Sequence, residues 1–382
     1  MTIALVNGRV LRDNGFATGE CVLIEHGRIV DVLPASDPRC RSAQPYDLRG
    51  QLLLPGFIDA QVNGGGGVLF NDAPSVGSIR AIGRAHRRFG TTGFLPTLIS
   101  ADLDVVARAI AAVRGAIDAG VPGVLGIHIE GPFLNAARKG VHDPAKLREL
   151  DPSALGLLTS LRGGRTLVTL APEMTTPQII EQLVATGVVV SAGHTNASYA
   201  EIRAALAHGL TGFTHLFNAM SQLTGREPGT VGAALDDQRS WCGIIVDGEH
   251  TDPVVLRIAL RCKPHDRFML VTDAMPSVGT DNASFDLQGR HISVRGYACY
   301  DEHGRLAGSN IDMASCVRNA IHLLGVTLAE AVRMASEVPA QFLGLTDCGR
   351  IAAGWRANLV LADEDLNVLE TWIDGRSSLE AP

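Results

Sequence analysis

The sequence predicts an α/β fold, namely a (β/α)8 barrel of the TIM type with a small β-sandwich-like domain formed by both termini. Three observations lead to this prediction. Eight short apolar runs alternate with segments of helical period in the middle of the chain, both ends carry short β-branched runs instead, and 382 residues suffice for one large barrel with an appendage.

The two ends of the chain are predicted to form the strands of the small β domain. Short apolar or β-branched runs, separated by turn-forming pairs such as Asn7-Gly8 and His26-Gly27, lie at residues 3–6, 21–25, 28–32, 357–362 and 368–373. We therefore expect residues 1–54 and 346–382 to form the small domain and residues 55–345 to form the barrel.

The middle of the chain contains the candidate barrel strands. The eight apolar runs lie at residues 56–62, 91–98, 123–129, 166–171, 187–193, 211–216, 241–246 and 268–272. Segments with helical patterning separate most of them, for example residues 105–119 and 198–208. Eight such repeats favour a closed barrel, and a doubly wound open sheet is the alternative.

The composition excludes several classes of protein. With 46% hydrophobic and 19% charged residues, the chain is too apolar to be disordered, and it has no run of 18 apolar residues to cross a membrane. The net charge is -7 and only Lys139, Lys146 and Lys263 are lysines, so we expect no nucleic-acid or membrane partner. Seven cysteines without a Cys-x-x-Cys pair, and a start without a signal-peptide pattern, lead us to expect a reducing, cytoplasmic location.

Polar residues end the first predicted barrel strand. Period-two alternation puts Asp59, Gln61 and Asn63 on one face, and four glycines follow at residues 64–67. A barrel carries its chemistry at the carboxyl ends of its strands, so these residues are candidates for a site. A turn after a polar strand end is the alternative.

Four further polar residues stand at predicted strand ends. Glu130, His194 and Asp273 directly follow the third, fifth and eighth runs, and His215 lies at the end of the sixth. One glutamate and two histidines match the three-ligand arrangement of catalytic zinc, and a second carboxylate could act as general base for a metal-bound water. Taken singly, a structural salt bridge or a satisfied core histidine is the alternative. Their joint occurrence at strand ends favours a metal-dependent hydrolase.

Several segments resemble the amidohydrolase superfamily and, within it, the family of N-acetylglucosamine-6-phosphate deacetylases. The segments are PGFID at 55–59, HIEGP at 128–132, LAPE at 170–173, SAGH at 191–194, THLFNAM at 214–220, TGREPG at 224–229, DGEH at 247–250, VTD at 271–273 and GRIAAGWRANLV at 349–360. The resemblance extends in order over nearly the whole chain.

The resemblance implies a reaction and the residues that perform it. The reaction is hydrolysis of N-acetylglucosamine 6-phosphate to glucosamine 6-phosphate and acetate. One divalent ion per chain, most simply Zn²⁺, is implied to bind Glu130, His194 and His215, and iron, cobalt or manganese are the alternatives. The resemblance gives Asp273 the role of activating the metal-bound water and His142 the role of polarising the substrate carbonyl. A solvated loop histidine is the alternative for His142.

The resemblance also implies contacts to a phosphosugar substrate. The residues are Val141, Asn218, Ala219, Arg226, His250, Leu306, Ala307 and Gly308. It further implies that Arg226 reaches the phosphate across a dimer interface, so we expect a homodimer or a higher homo-oligomer. A surface ion pair with Glu227 is the alternative for Arg226, and a structural histidine is the alternative for His250.

One departure from the wider superfamily bears on the metal content. Many members have His-x-His at the end of the first strand, where this chain has Gln61 and Asn63. Amides are poor substitutes for imidazole on a zinc-like ion, so we expect one tightly bound metal. The alternatives are a hydrolase of the same superfamily that acts on another amide and a non-catalytic scaffold of the same fold.

Overall fold

The computed structural model describes residues 2–13 and 15–380. The N-terminal part forms seven strands, which are β1 (Ile3–Val6), β2 (Arg9–Arg12), β3 (Gly15–Ala17), β4 (Glu20–Glu25), β5 (Arg28–Pro34), β6 (Gln44–Asp47) and β7 (Leu52–Pro55). Four of them form a sheet in the order β5-β4-β1-β6. The other three join a second sheet that also contains the C-terminal strands.

Eight parallel strands form the barrel in their order along the chain. They are β8 (Phe57–Val62), β11 (Thr91–Ile99), β12 (Gly126–Glu130), β13 (Arg165–Leu170), β14 (Val189–Ala192), β15 (Gly212–Phe213), β16 (Trp241–Ile244) and β17 (Phe268–Leu270), with the small hairpin β9 (Gly64–Gly65) and β10 (Val68–Leu69) after the first. All eight predicted runs are therefore strands.

The seam between the first and last barrel strands nearly closes the sheet. Val62 forms a parallel bridge with Ala274, and the N–H of Asp273 donates to the carbonyl oxygen of Gln61 at 3.0 Å. These contacts confirm the predicted (β/α)8 barrel over the doubly wound alternative, because an open sheet would leave both edge strands apart.

Eleven α-helices are found in the described residues. They are α1 (Pro38–Ser42), α2 (Val76–Arg87), α3 (Leu103–Asp118), α4 (Leu155–Leu158), α5 (Pro177–Ala185), α6 (Tyr199–Ala207), α7 (Gly229–Asp236), α8 (Pro253–Cys262), α9 (Met313–Asn319), α10 (Leu328–Ala335) and α11 (Glu337–Phe342). The sequence predicts α3 and α6 within two residues of their observed ends. A capping box between Ser198 and Glu201 starts α6, because each side chain satisfies a free backbone N–H of the first turn. No helix of the described chain is long and apolar enough to cross a membrane.

An antiparallel sheet that the sequence reasoning missed follows the last barrel strand. It consists of β18 (Ser284–Leu287), β19 (Arg290–Arg295), β20 (Ala298–Asp301) and β21 (Leu306–Ser309). Its strands are partly exposed and lack long apolar runs, so they give only a weak strand pattern. A bridge between Ala274 and Ser309 attaches this sheet to the barrel rim.

The C-terminal strands complete the sheet shared by both termini. They are β22 (Leu359–Ala362), β23 (Val368–Ile373) and β24 (Arg376–Ser377), and the sheet order is β24-β23-β22-β7-β2-β3. Leu5, Leu53, Leu359 and Trp372 belong to one apolar core between the two terminal sheets. This arrangement confirms a β-sandwich-like unit built from both ends, while the boundaries at 54/55 and 345/346 stay a prediction.

The barrel strands are buried along almost their whole length. Phe57 and Phe94 are each 2% exposed, and Phe213 and Phe268 are fully buried. Burying each such ring contributes roughly 1.5–3 kcal/mol, so the strands provide a rigid base for the residues at their carboxyl ends.

Candidate active site

A cavity of about 310 Å³ opens at the carboxyl ends of the barrel strands. Glu130, His142, His194, His215 and Asp273 all line it. Barrel enzymes place their active sites at this face, because the strand ends and the following loops converge there. The cavity is therefore the candidate active site.

The three predicted metal ligands lie together in this cavity. Oε1 of Glu130 is 3.0 Å from Nε2 of His215 and 3.4 Å from Nε2 of His194, and the two Nε2 atoms are 3.0 Å apart. All three side chains are buried, and one ligand atom from each lies within 4.8 Å of the others. Burial alone would raise the pKa of Glu130, but its contacts with the two imidazoles hold that pKa well below its usual range.

The hydrogen bonds of this cluster fit a bound cation. Nδ1 of His194 lies 2.8 Å from the carbonyl oxygen of Arg138, to which it donates. In its neutral form the ring then presents the lone pair of Nε2 to the cluster, where Oε1 of Glu130 and Nε2 of His215 lie 3.4 Å and 3.0 Å away. Such a set of converging donor atoms suits a cation, and the contact of His194 with the Arg138 carbonyl is of the kind that orients metal-binding histidines.

Three of the strand-end residues that meet in the cavity have strained backbone. His194, His215 and Asp273 have φ values of +48°, +35° and +52°. Residues other than glycine rarely adopt this left-handed backbone conformation. They keep it only where the surrounding structure enforces it. The fold therefore holds these strand-end residues in conformations that turn their side chains into one cavity.

Two amide side chains position the carboxylates. Nε2 of Gln61 is 3.2 Å from both carboxylate oxygens of Glu130 and 3.0 Å from Oδ1 of Asp273, and Nδ2 of Asn63 is 2.7 Å from the same Oδ1. The sequence predicts both amides as residues of a strand-end site and as poor metal ligands, but not their role as donors to the two carboxylates. The sequence feature that could have indicated this role is the pair of amides at the end of the first strand, together with acidic residues at the ends of two other strands.

Asp273 has the environment of a proton acceptor. Burial and then the negative charge of Glu130 raise its pKa to about 6. Oδ1 already accepts from Gln61 and Asn63, whereas Oδ2 accepts no hydrogen bond from the residues that the structure describes. Oδ2 is therefore the oxygen available for proton transfer.

The predicted substrate contacts divide into two groups. Six of them line the cavity, namely Val141, Asn218, Ala219, His250, Leu306 and Gly308. Ala307 is fully buried behind the cavity, in an apolar cluster that includes residues of the antiparallel sheet β18–β21, called the inserted sheet below. Arg226 is exposed and does not line the cavity of this single chain. Their roles stay predictions.

The alternative interpretation of Arg226 as a partner of Glu227 finds no support. The Glu227 carboxylate instead accepts backbone N–H groups of Tyr199 at 2.8 Å and Gly229 at 3.0 Å. The guanidinium of Arg226 is therefore available for another partner.

His250 has a buried carboxylate beside it. Its Nδ1 is 2.5 Å from Oδ2 of Asp247, whose Oδ1 accepts the backbone N–H groups of Glu249 and His250. Asp247 therefore orients the ring of His250, so that Nε2 is free to reach a ligand.

A parallel barrel with a glutamate, two histidines and an aspartate at the ends of different strands defines a class of barrel hydrolases with a metal-binding site. Comparison with known proteins identifies the family. Residues 52–377 match the model of the amidohydrolase family. The chain belongs to this family and is a hydrolase.

Relatives of known name cover almost the whole chain. It is 42% identical over 379 residues to an N-acetylgalactosamine-6-phosphate deacetylase of Shewanella sp. (strain ANA-3), covering 99% of this chain and 96% of the relative. It is 36% identical over 380 residues to an N-acetylglucosamine-6-phosphate deacetylase of Haemophilus influenzae, covering 98% and 99%. The crystal structure of an N-acetylglucosamine-6-phosphate deacetylase from Pasteurella multocida superimposes with a TM-score of 0.95 at 36% identity, covering 100% of both chains.

Proposed function

We propose that this protein removes the acetyl group of N-acetylglucosamine 6-phosphate. Water is consumed, the amide C–N bond breaks, and the products are glucosamine 6-phosphate and acetate. The observation that carries the proposal is the convergence of Glu130, His194, His215 and Asp273 in one buried cavity. The names of the relatives at 36–42% identity support the substrate class.

Glu130, His194 and His215 would hold one divalent ion, and nitrogen and carboxylate donors suit Zn²⁺. When bound, such an ion supplies Lewis-acid chemistry that makes water more acidic and an amide carbonyl more electrophilic. Gln61 keeps the Glu130 carboxylate oriented toward the histidines by donating to both of its oxygens.

Asp273 moves the proton. Its Oδ2 takes a proton from the attacking water and later delivers it to the leaving nitrogen, because an amine leaves readily only after protonation. Burial and the charge of Glu130 raise the pKa of Asp273, which favours a carboxyl group that can both take and give up a proton. Asn63 and Gln61 keep the other carboxylate oxygen occupied, so that proton transfer is confined to Oδ2.

Two further residues contact the substrate, one at the acetamide carbonyl and one at the phosphate. His142 donates to the carbonyl oxygen as negative charge develops there, a contribution of about 3–4 kcal/mol for comparable donors. Arg226 suits a phosphate because its planar guanidinium makes paired hydrogen bonds. Since Arg226 lies outside the cavity of its own chain, we propose that it completes the site of a second copy in a homodimer. The proposed location is the cytoplasm.

A second candidate substrate is N-acetylgalactosamine 6-phosphate, the epimer of the first at C4 of the sugar. The observation that favours it is the 42% identity to a deacetylase of that name. The two sugars share the acetamide and the phosphate, so the metal cluster and Asp273 would act on both in the same way.

The test is acetate release from both sugar phosphates and from N-acetylglucosamine, before and after chelation and after adding Zn²⁺ back. We expect turnover of at least one sugar phosphate, loss on chelation and recovery with metal. Asp273→Asn keeps the Oδ1 contacts, so it should retain metal while kcat falls about 10²–10⁴-fold. No acetate from either sugar phosphate with metal-loaded protein would overturn the proposed function, and near-normal kcat for Asp273→Asn would overturn the role of Asp273.

A further inference from the structure

His142 is held by a residue that the sequence reasoning did not single out. Its ring is 2% exposed, and Nδ1 is 2.7 Å from Oγ of Ser100. The backbone N–H of Ser100 also donates to this Nδ1 at 3.3 Å. Because a backbone N–H can only donate, Nδ1 of His142 must present its lone pair, and the neutral ring then carries its proton on Nε2.

The other edge of the ring faces the candidate active site. His142 lines the cavity and its ring centroid lies 4.4 Å from that of His194. Nε2 has no hydrogen-bond partner among residues 2–13 and 15–380. With the proton on Nε2, His142 offers an N–H donor to a carbonyl oxygen, whereas the opposite tautomer would turn a lone pair towards that oxygen and repel it.

Ser100 is itself fixed in place. It follows β11 directly and is fully buried. A Cβ on Gly131 would lie only 2.2 Å from Oγ of Ser100, so the glycine allows the backbone to pack directly over the hydroxyl group. The hydroxyl therefore has little freedom to turn away from the ring of His142.

The inserted sheet joins the two segments that meet here. In the turn between β18 and β19, Nε2 of Gln288 donates to the carbonyl oxygen of Ser100 at 3.2 Å. At the start of β19, Arg290 donates to the carbonyl oxygen of Val141 at 3.2 Å. One hairpin thus contacts both Ser100 and the residue before His142.

We propose that Ser100 is a positioning residue that holds His142 as the Nε2–H tautomer, and that Arg290 keeps the loop of His142 against Ser100. The role of the tautomer in turnover rests on the proposed function, since it assumes that a carbonyl oxygen lies in this cavity. The tautomer itself is a property of the protein without substrate.

The tautomer is measured on the metal-loaded protein with ¹⁵N-labelled histidine, by long-range ¹H–¹⁵N correlation without substrate. The His142→Gln variant identifies the signals of His142. We expect the Nε2–H pattern in the native protein. Ser100→Ala keeps the longer backbone contact at 3.3 Å but loses the hydroxyl contact at 2.7 Å, so we expect a partial shift towards a mixture of tautomers in this variant. A Nδ1–H pattern in the native protein overturns the proposal. Absence of deacetylation would instead count against the proposed function alone, because this measurement needs no substrate.

Kinetics separate positioning from a general structural effect. Ser100→Ala should lower kcat about tenfold with KM within about twofold, since only the transition state draws fully on the donor. Combined with His142→Gln, it should cause no further loss, because Ser100 acts through that ring. Losses that multiply in the double variant overturn the proposal. Ser336→Ala, which also removes a buried hydroxyl but contacts Val332, is the matched control and should keep native kcat.

The hairpin is tested with a surface substitution. Arg290→Ala should lower kcat about threefold to tenfold and broaden the His142 signals, because the loop loses one anchor to a charged donor. Arg295→Ala, on the same strand and beside Tyr300, should behave as the native protein. Equal kcat and spectra for the two arginine variants would overturn the role of Arg290.

Discussion

Replacing Asp59 with asparagine should make the stability of the protein less dependent on pH. Asp59 is fully buried at the barrel seam, where its Oδ1 accepts the backbone N–H groups of Gln61 at 3.2 Å and Thr272 at 3.3 Å. The Thr272 hydroxyl contacts Oδ2. An asparagine keeps the oxygen acceptor and can donate to that hydroxyl, so Asp59→Asn changes the charge and little else.

The magnitude follows from the pKa. Burial raises the pKa of Asp59 from 3.8 to about 7, against the opposing hydrogen bonds of Thr272 and Gln61. Between pH 5 and pH 7 the folded protein thus binds about one proton more than the unfolded chain, and its stability falls as pH rises. At 1.36 kcal/mol per unit, Asp59 alone lowers the unfolding free energy of the native protein by roughly 2–3 kcal/mol between pH 5 and pH 8, and Asp59→Asn removes this contribution.

The assay is equilibrium urea unfolding of the native and variant proteins, followed by circular dichroism from pH 5 to pH 8 with saturating metal. The difference in unfolding free energy should grow with pH in favour of Asp59→Asn and level off above pH 7. Asp104→Asn is the control, because this exposed carboxylate is ionised in both states throughout the range. A difference that stays constant from pH 5 to pH 8 for Asp59→Asn would refute the buried, protonated carboxyl.

Three further predictions concern substrate and metal. Arg226→Ala should raise KM for the sugar phosphates about 10–100-fold, leave kcat within about threefold and leave unphosphorylated substrate unaffected in steady-state kinetics. Gln61→His combined with Asn63→His should raise tightly bound metal from about one to about two equivalents per chain by elemental analysis, since imidazole replaces the amides. Asp247→Ala should lower kcat/KM about tenfold. The double variant Asp247→Ala/His250→Ala should lose no more activity than His250→Ala alone, because Asp247 acts by orienting the ring of His250. The first prediction is contradicted if KM is unchanged in Arg226→Ala, and the second if the histidine double variant binds only one equivalent of metal. The third is contradicted if the losses of kcat/KM in Asp247→Ala and His250→Ala multiply in the double variant.

The amides at the end of the first strand hold two acidic residues of the site together by hydrogen bonds. Glu130 and Asp273 are two buried carboxylates whose charges repel each other, and this repulsion contributes to the raised pKa of Asp273. Gln61 donates to both, so hydrogen bonds without net charge hold them together. This contact gives a physical reason to expect one tightly bound metal rather than two.

The polar residues at the strand ends could be predicted from the sequence, because buried parallel strands have a recognisable apolar pattern. A strand buried on both faces has a continuous run of apolar residues. The eight runs and the polar residues at their ends could therefore be located without coordinates. The carboxyl ends of such strands meet at one rim, which brings Glu130, His194, His215 and Asp273 together although they are far apart in the chain.

Other parts of the site had no local signal. The contacts from Gln61 to Asp273 and from Ser100 to His142 join residues 212 and 42 positions apart, and neither residue pair forms a motif. The sheet that supplies Arg290 was missed because its exposed strands lack apolar runs. Where Arg226 lies relative to the cavity likewise depends on loops, whose path is set by long-range packing.

Taken alone, the amino-acid sequence determined the barrel, the sheet shared by both termini and the residues that end each strand, because these follow from patterns of burial repeated along the chain. Only the tertiary structure decided which nitrogen of His142 faces the cavity, which oxygen of Asp273 stays free, and what Gln61 contacts. Those properties depend on distances and hydrogen-bond directions between segments, and no pattern within a single segment contains them.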